Sequence, residues 1–304
     1  MYTRRRFLKN TGTAAASCLL IPALEPFSLP ANKKGPFKIS LAQWSLHKSL
    51  FGGKLSNIDF PLKAKKDFGI DIVEYVSPFF QKKETDQAYL KELKKRTDDN
   101  GIQNHLIMID GEGDLGDLNE AARNKAVENH YKWVDAAKVL GCATIRVNAF
   151  GRGTAEEVRV AAIQGLGKLT EYGKQNKINV VVENHGSYSS NGKWLADVIK
   201  SVNSPYCGTL PDFGNFRISD TERYDLYQGV QDLLPYAKGI SAKTFRFDSD
   251  GNEPDIDYFR LFSMIKQSGF KGIIGIEWEG DSLGEDEGIR ATKALIERVI
   301  AKLS

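Results

Sequence analysis

Eight short apolar runs, separated by longer amphipathic stretches, constrain this chain more than any other feature of it. The runs are Phe37–Trp44, Ile70–Val76, Ile102–Ile109, Ala143–Asn148, Ile178–Glu183, Gly208–Asp212, Ala237–Thr244 and Gly272–Glu277. Several are dense in Val and Ile, and each is short enough to read as a strand. Between them Ala64–Phe68, Tyr89–Asp98, Asn129–Leu140, Val158–Gln175 and Tyr258–Gly269 carry helical period. Alternation of this kind predicts a parallel sheet with crossover helices. Eight units predict an α/β fold, a single-domain (β/α)8 TIM barrel; an open doubly wound sheet is the alternative. The 304 residues suffice for one such barrel, whose core takes about 250. Gly69, Gly101, Gly141, Gly269 and Gly272 each stand where a helix would stop before the next strand. A left-handed cap costs glycine little, so these positions mark the floor of the barrel.

In a barrel of this type the active site lies at the C-terminal ends of the strands, and here those ends are polar. They read Gln43-Trp44-Ser45-Leu46-His47, Val73-Glu74-Tyr75, Arg146-Val147-Asn148, Glu183-Asn184-His185-Gly186, Pro211-Asp212-Phe213-Gly214-Asn215, Ser241-Ala242-Lys243-Thr244 and Glu277-Trp278-Glu279-Gly280. The third strand carries Asn104-His105 and runs into Asp110-Gly111-Glu112-Gly113. Val180-Val181-Val182 delivers Glu183 to a strand tip, and Ile273-Ile274-Gly275-Ile276 does the same for Glu277, with Asp212 between them. A lone strand-end Glu is as readily a salt-bridge partner or a cap as a ligand. Three that converge raise one another's pKa or require a cation, and an oxygen-rich set suits Mn²⁺ or Mg²⁺. On the seventh strand, alternation puts Ser241 and Lys243 on one face and Ala242 and Thr244 on the other. An unpaired Lys beneath a helix is costly, so Lys243 is expected to point into the pocket.

Residues 1–32 read differently. A basic head, Thr3-Arg4-Arg5-Arg6-Phe7-Leu8-Lys9, precedes an apolar small-residue stretch and then Pro-rich sequence. This is the plan of a signal peptide, too weakly apolar for a stable membrane span. Its consensus resembles the twin-arginine export signal. That resemblance implies a periplasmic or otherwise exported protein, passed folded through the twin-arginine machinery and able to carry a cofactor with it. Residues 33–304 would then be the barrel. Cys142 and Cys207 lack metal-ligand spacing; a disulfide between them and two buried free thiols are both open. A formal net charge of +3 points to neither nucleic acid nor membrane surface.

From Phe37 to Leu303 the chain resembles the xylose isomerase-like TIM barrel superfamily, the sugar phosphate isomerase/epimerase family. The resemblance rests on Gln43-Trp44-Ser45-Leu46-His47, Ile109-Asp110-Gly111-Glu112-Gly113, Val182-Glu183-Asn184-His185-Gly186, Leu210-Pro211-Asp212-Phe213-Gly214-Asn215 and Gly275-Ile276-Glu277-Trp278-Glu279-Gly280. Its ketose epimerase branch holds a divalent metal with Glu, Asp, His and Glu from four later strands, and the two glutamates exchange the substrate proton. The resemblance thus assigns Glu183, Asp212 and Glu277 to a metal (Mn, Co, Mg or Zn) and makes Glu183 and Glu277 the acid and base. His185, Arg146, His105 and Glu74 fall where such barrels bind substrate, and Asn148, Trp44 and Trp278 join them by strand-end position. The His ligand is missing, because the matching strand reads Ile240-Ser241-Ala242-Lys243-Thr244-Phe245. Lys243 would stabilise an oxyanion in its place.

The expected activity is that of a sugar isomerase or epimerase working through an enediolate on an unphosphorylated sugar. The alternatives are a 3-keto-glycoside lyase or hydratase using the same carboxylates, and a non-catalytic sugar-binding barrel with Trp44, Trp278 and Tyr188 stacked on sugar. A homo-oligomer is compatible with the sequence. A related DNA-repair barrel with three zinc ions is disfavoured by only four His and no basic stripe. Asp248-Ser249-Asp250-Gly251-Asn252 starts like a calcium loop but has Phe259 where the closing Glu belongs, so a turn is expected. Residues 110–114 read as a mobile loop over the pocket, His130 as structural or exposed, and His47 as a candidate for the pocket rim.

Overall fold

The computed structural model describes residues 37–303; the twin-arginine segment expected over 1–32 lies outside them. The described residues lie in one compact unit. Its strands are β1 (Lys38–Ala42), β2 (Ile72–Val76), β3 (Gln103–Met108), β4 (Thr144–Val147), β5 (Asn179–Glu183), β6 (Cys207–Leu210), β7 (Ile240–Thr244) and β8 (Ile273–Trp278). Each falls on one of the eight apolar runs. The helices are α1 (His47–Phe51), α2 (Phe60–Phe68), α3 (Gln87–Asp99), α4 (Glu120–Leu140), α5 (Ala155–Asn176), α6 (Gly192–Val202), α7 (Leu226–Leu233), α8 (Tyr258–Gln267) and α9 (Glu285–Leu303). The five segments read from helical period lie in α2, α3, α4, α5 and α8, with Ser268 and Gly269 just beyond the last.

All strand pairs are parallel, in the order β6-β5-β4-β3-β2-β1-β8-β7. Where β6 meets β7 the ring closes through two isolated bridges, Thr209↔Ala237 and Asp212↔Ser241. Backbone bonds Lys238 N–Thr209 O, Ser241 N–Pro211 O and Phe213 N–Ser241 O, at 3.0, 2.9 and 3.1 Å, accompany them. This is a (β/α)8 barrel, with the open doubly wound sheet excluded by the bridges that join β6 to β7.

Burial follows from the architecture. Val180, Val181 and Val182 have no exposed surface, because a parallel strand is covered on both faces. Local signals set the helix ends. Thr154 and Glu157 form a reciprocal capping box on α5, and such caps contribute about 1 kcal/mol. At the floor, Gly69, Gly101, Gly141 and Gly269 all have positive φ, between 59 and 76°, as expected of stops. Gly272 is a correction: its φ is not positive, and its missing side chain instead makes room for the Phe270 ring.

Candidate active site at the barrel mouth

Four strand ends on one side of the barrel present charge to its axis. Glu183 ends β5, Asp212 follows β6, Lys243 lies near the end of β7 and Glu277 near the end of β8. All four are buried. One carboxylate oxygen each from Glu183, Asp212 and Glu277 lie within 4.8 Å of one another. The alternation expected on β7 is present. Thr244 turns outward to a 2.6 Å hydroxyl contact with Thr292 of α9, while Lys243 turns inward. Its Nζ stands 3.0 Å from Glu277 Oε1, 3.0 Å from Glu279 Oε2 and 3.8 Å from Asp212 Oδ2.

The remaining bonds fix these groups. Ser241 Oγ donates to Glu277 Oε2 at 2.9 Å. The Asn215 amide bridges the site, donating from Nδ2 to Glu183 Oε1 and accepting from Lys243 Nζ at Oδ1, both at 3.2 Å. Asn184 accepts from the Asp212 backbone N–H, and Gly214 N–H donates to Asp212 Oδ1. Arg146, on β4, is also buried. Its Nη1 donates to Asp110 at 2.8 Å, and its Nε lies 2.8 Å from Glu183 Oε2. That last pair is close, yet neither atom has a hydrogen bond, so the contact is an attraction of charges without an aligned N–H.

Burial raises the Glu183 carboxyl to about 7, Arg146 resisting the shift. Burial likewise raises Asp212 to about 7 against the pull of Lys243. For Lys243 burial works against the charge, but Asp212, Glu277 and Glu279 more than offset it and hold the ammonium well above its usual pKa. Among the described residues, Asp110, Glu183, Asp212, Glu277 and Glu279 pair with the cations Arg146 and Lys243 alone. The excess of negative charge is therefore relieved by protons or by a cation.

A hard divalent cation fits this set. The donors are three buried carboxylates, and Asp212 Oδ2 has no hydrogen-bond partner. Lys243 offers no lone pair while charged. Protein ligands would number three, the arrangement that leaves coordination positions for a substrate.

Other predicted residues take varied places. His185 lies two residues past Glu183, its Nδ1 3.1 Å from Asn148 Oδ1, while Asn148 Nδ2 donates to Asp110 at 2.8 Å. Burial, with Arg146 and Lys243 nearby, lowers the His185 pKa and favours the neutral ring. Trp44 is half-buried; its indole donates to Glu279 Oε1 at 3.0 Å and stacks on His47. Glu74 sits one layer deeper. It accepts from Ser40 Oγ at 2.6 Å, occupies the space left by Gly275, and is raised by burial to about 7.

Two placements are corrections. Trp278 does not face the pocket. Its ring packs against Gly288 of α9 and stacks on Phe247, because Glu277 takes the inward direction and alternation sends the next residue out. His105 lies toward the floor, its Nε2 near Gly239 at the start of β7, and burial lowers it to about 4. The loop at 110–114 is tied down: Glu112 Oε1 accepts from the Trp133 indole at 2.7 Å, and Asn129 holds the Glu112 carbonyl. Residues 248–252 form the expected turn. His130 is buried and bonded to Ala126, and both Cys142 and Cys207 are buried free thiols. Asn215, Asp110 and Glu279 had no assigned part, although each orders a charged group of the site. The only advance signal was their proximity to a strand end.

Residues 62–299 match the family described as Xylose isomerase-like TIM barrel. A stretch of 65 residues, 20% of this chain, is 34% identical to the C-glycoside deglycosidase alpha subunit of Arthrobacter globiformis and spans 18% of that protein. Among solved structures, the IOLI protein with a bound zinc atom superposes with a TM-score of 0.70 at 15% identity, covering 88% of this chain and 99% of that one. D-psicose 3-epimerase in the presence of D-fructose superposes at 0.68 and 13% identity, covering 87% and 99%. Likeness at such identities establishes the fold.

Proposed function

Because the chain belongs to the xylose isomerase-like TIM barrel family, we propose that it is a sugar epimerase or isomerase that removes a proton beside the carbonyl of an unphosphorylated sugar. The observation that carries this reading is the meeting of Glu183, Asp212 and Glu277 within 4.8 Å, with Glu183 raised to about 7. A carboxylate near neutral pKa accepts and returns a proton efficiently at physiological pH. Glu183 takes the proton from the carbon next to the carbonyl, and the electron pair moves onto the carbonyl oxygen. Lys243, held by Glu277 and Glu279, faces the resulting negative oxygen as a fixed positive charge, of most use where water is excluded. Glu277 returns a proton. Return to the same carbon from the opposite face is epimerisation, and return to the neighbouring carbon is isomerisation. A divalent ion held by Glu183, Asp212 and Glu277 would supply further polarisation of the carbonyl and neutralise excess charge.

A second reading is favoured by the match to a C-glycoside deglycosidase subunit. In a 3-keto-glycoside the carbon that loses its proton lies between the carbonyl and the anomeric carbon. The electron pair then forms a carbon–carbon double bond as the anomeric bond breaks. The leaving group departs with its pair and takes up a proton, giving an unsaturated keto-sugar without any oxidant.

One experiment separates these readings: free ketoses and 3-keto-glycosides incubated in D₂O with the Mn²⁺-loaded protein and followed by NMR. Deuterium entering beside the carbonyl with the sugar otherwise intact supports the epimerase or isomerase. Release of the aglycone supports the lyase. Saturable binding without either supports a sugar-binding barrel and overturns the enzyme. Glu183→Gln is expected to slow exchange by about 10²–10⁴-fold. Export belongs to the same proposal: an enzyme carried out by residues 1–32 meets glycosides rather than sugar phosphates. Cell fractionation, with Arg4 and Arg5 replaced by Lys as control, checks it.

A further inference from the structure

A cavity of about 960 Å³ adjoins the carboxylate cluster without being lined by it. Its inner edge is His185, Gly214 and Asn215. Asn215 is the amide that bonds both Glu183 and Lys243, so a sugar held at the carboxylates would open directly into this space. The volume is at the top of the range for small-molecule sites, roughly 300–1,000 Å³. A free ketose would leave most of it to water.

The outer wall is a small hairpin between β6 and α7. Arg217 and Arg223 pair across it in antiparallel fashion, with backbone bonds Ile218 N–Glu222 O at 2.9 Å and Tyr224 N–Phe216 O at 2.8 Å. It is anchored at its root. The Phe216 ring lies where a Gly229 side chain would be, and Tyr224 Oη donates to Asp232 at 2.8 Å. The wall is therefore preformed. Phe216, Ile218, Tyr224, Phe245 and Ile256 supply its apolar surface.

Arg217 and Arg223 line the cavity too, with two carboxylates, Asp220 and Asp255, of which Asp255 is paired with Arg246. Residues directly opposite on an antiparallel pair share a face, where like charges repel. Arg217 is partly neutralised by Asp220, whereas the Arg223 side chain has no partner among the described residues. Aromatic walls with an unpaired arginine suit a flat, oxygen-bearing aromatic group, on which guanidinium both stacks and donates.

We propose that this cavity receives the aglycone of a glycoside substrate, and that the aglycone is a phenol or similar oxygenated aromatic. The proposal rests on the proton-abstraction reading for the sugar half of the ligand and adds the class of the other half.

The test is calorimetric titration of the Mn²⁺-loaded barrel with 4-nitrophenyl and methyl β-D-glucosides, neither of which needs to react. The aryl glucoside is expected to bind at least about tenfold more tightly, the lower end of what one apolar subsite contributes. Ile218→Ser and Arg223→Ala should each remove most of that preference. Both should leave methyl glucoside affinity, and deuterium exchange into a free keto-sugar, unchanged. Equal affinity for the two glucosides, or equal weakening of both by the two variants, overturns the proposal. An aryl preference in a protein that exchanges no deuterium overturns the catalytic reading and leaves the aromatic site standing.

Discussion

Two lysine–carboxylate pairs in this molecule have similar chemistry and different consequences. On the outer face of α3, Lys94 meets Asp98 at 2.5 Å, with the side chains 33% and 56% exposed. At the barrel mouth Lys243 meets Glu277 at 3.0 Å, with 3% and 6% exposed. Water screens the first pair and offers each partner an alternative, so it contributes between about 0 and 1 kcal/mol. The second pair has no such alternative. Its charges are costly to desolvate and costlier to separate, so it fixes geometry more than it adds stability. Charge that stabilises little on the surface becomes, inside the mouth, a constraint on where acids and bases can stand.

The comparison is broken most directly at Lys243. Lys243→Met in the metal-free protein is expected to lose about 3–5 kcal/mol of unfolding free energy, since Glu277 and Asp212 would remain buried without it. Urea unfolding measures this; a loss below about 1 kcal/mol would mean that the mouth behaves like the surface. The same variant should bind Mn²⁺ more tightly, because a competing ammonium is gone.

Proton linkage gives a smaller effect for each group. Glu74, Glu183 and Asp212 ionise near 7 when folded and near 4 when unfolded. Between those values the native state holds more protons than the unfolded chain, so their contribution is full below about pH 4 and declines as pH rises toward 7. Asp110 and Glu279 have lowered values and act oppositely, losing stability as pH falls below about 4. Thermal melts of metal-free protein should therefore show a stability decrease from pH 5 to 7.5, on the order of 2 kcal/mol for each of these groups that titrates independently. Mn²⁺ should restore more at pH 7.5 than at pH 5, as protons compete for the same oxygens. Flat profiles with and without the ion would argue against ionisable ligands at the mouth.

The smallest expected effect sharpens the surface side. Lys94→Ala should cost less than about 1 kcal/mol, and less still in molar salt. A larger loss would have to come from packing of the Lys94 stem beside Gly141.

Much of the barrel was legible because buried parallel strands write themselves as uninterrupted apolar runs. The inward direction of Lys243 followed from period-two alternation alone. The same rule, applied to β8, places Glu277 and Trp278 on opposite faces, and the stacking role expected of Trp278 overlooked it. His105 was misplaced for a different reason. Its strand was right, but depth along a strand depends on register, and β2 and β3 slip between Val73 and Glu74. Asn215, Asp110 and Glu279 reach the site through loop geometry, set in part by Gly111 at φ 81°. No periodicity encodes such turns, so their bonds to Lys243 and Arg146 emerge only in three dimensions.

The joint between β6 and β7 is closed by isolated bridges rather than by a ladder, and the carboxylates stand astride it. Asp212 is on one lip and Ser241, which grips Glu277, is on the other. Seven seams of the hoop are riveted by strand ladders, and this one is buckled. Whatever draws Asp212 and Glu277 together, whether a shared proton or a cation, tightens the buckle. The occupant of the site and the girth of the barrel are thus one mechanical variable.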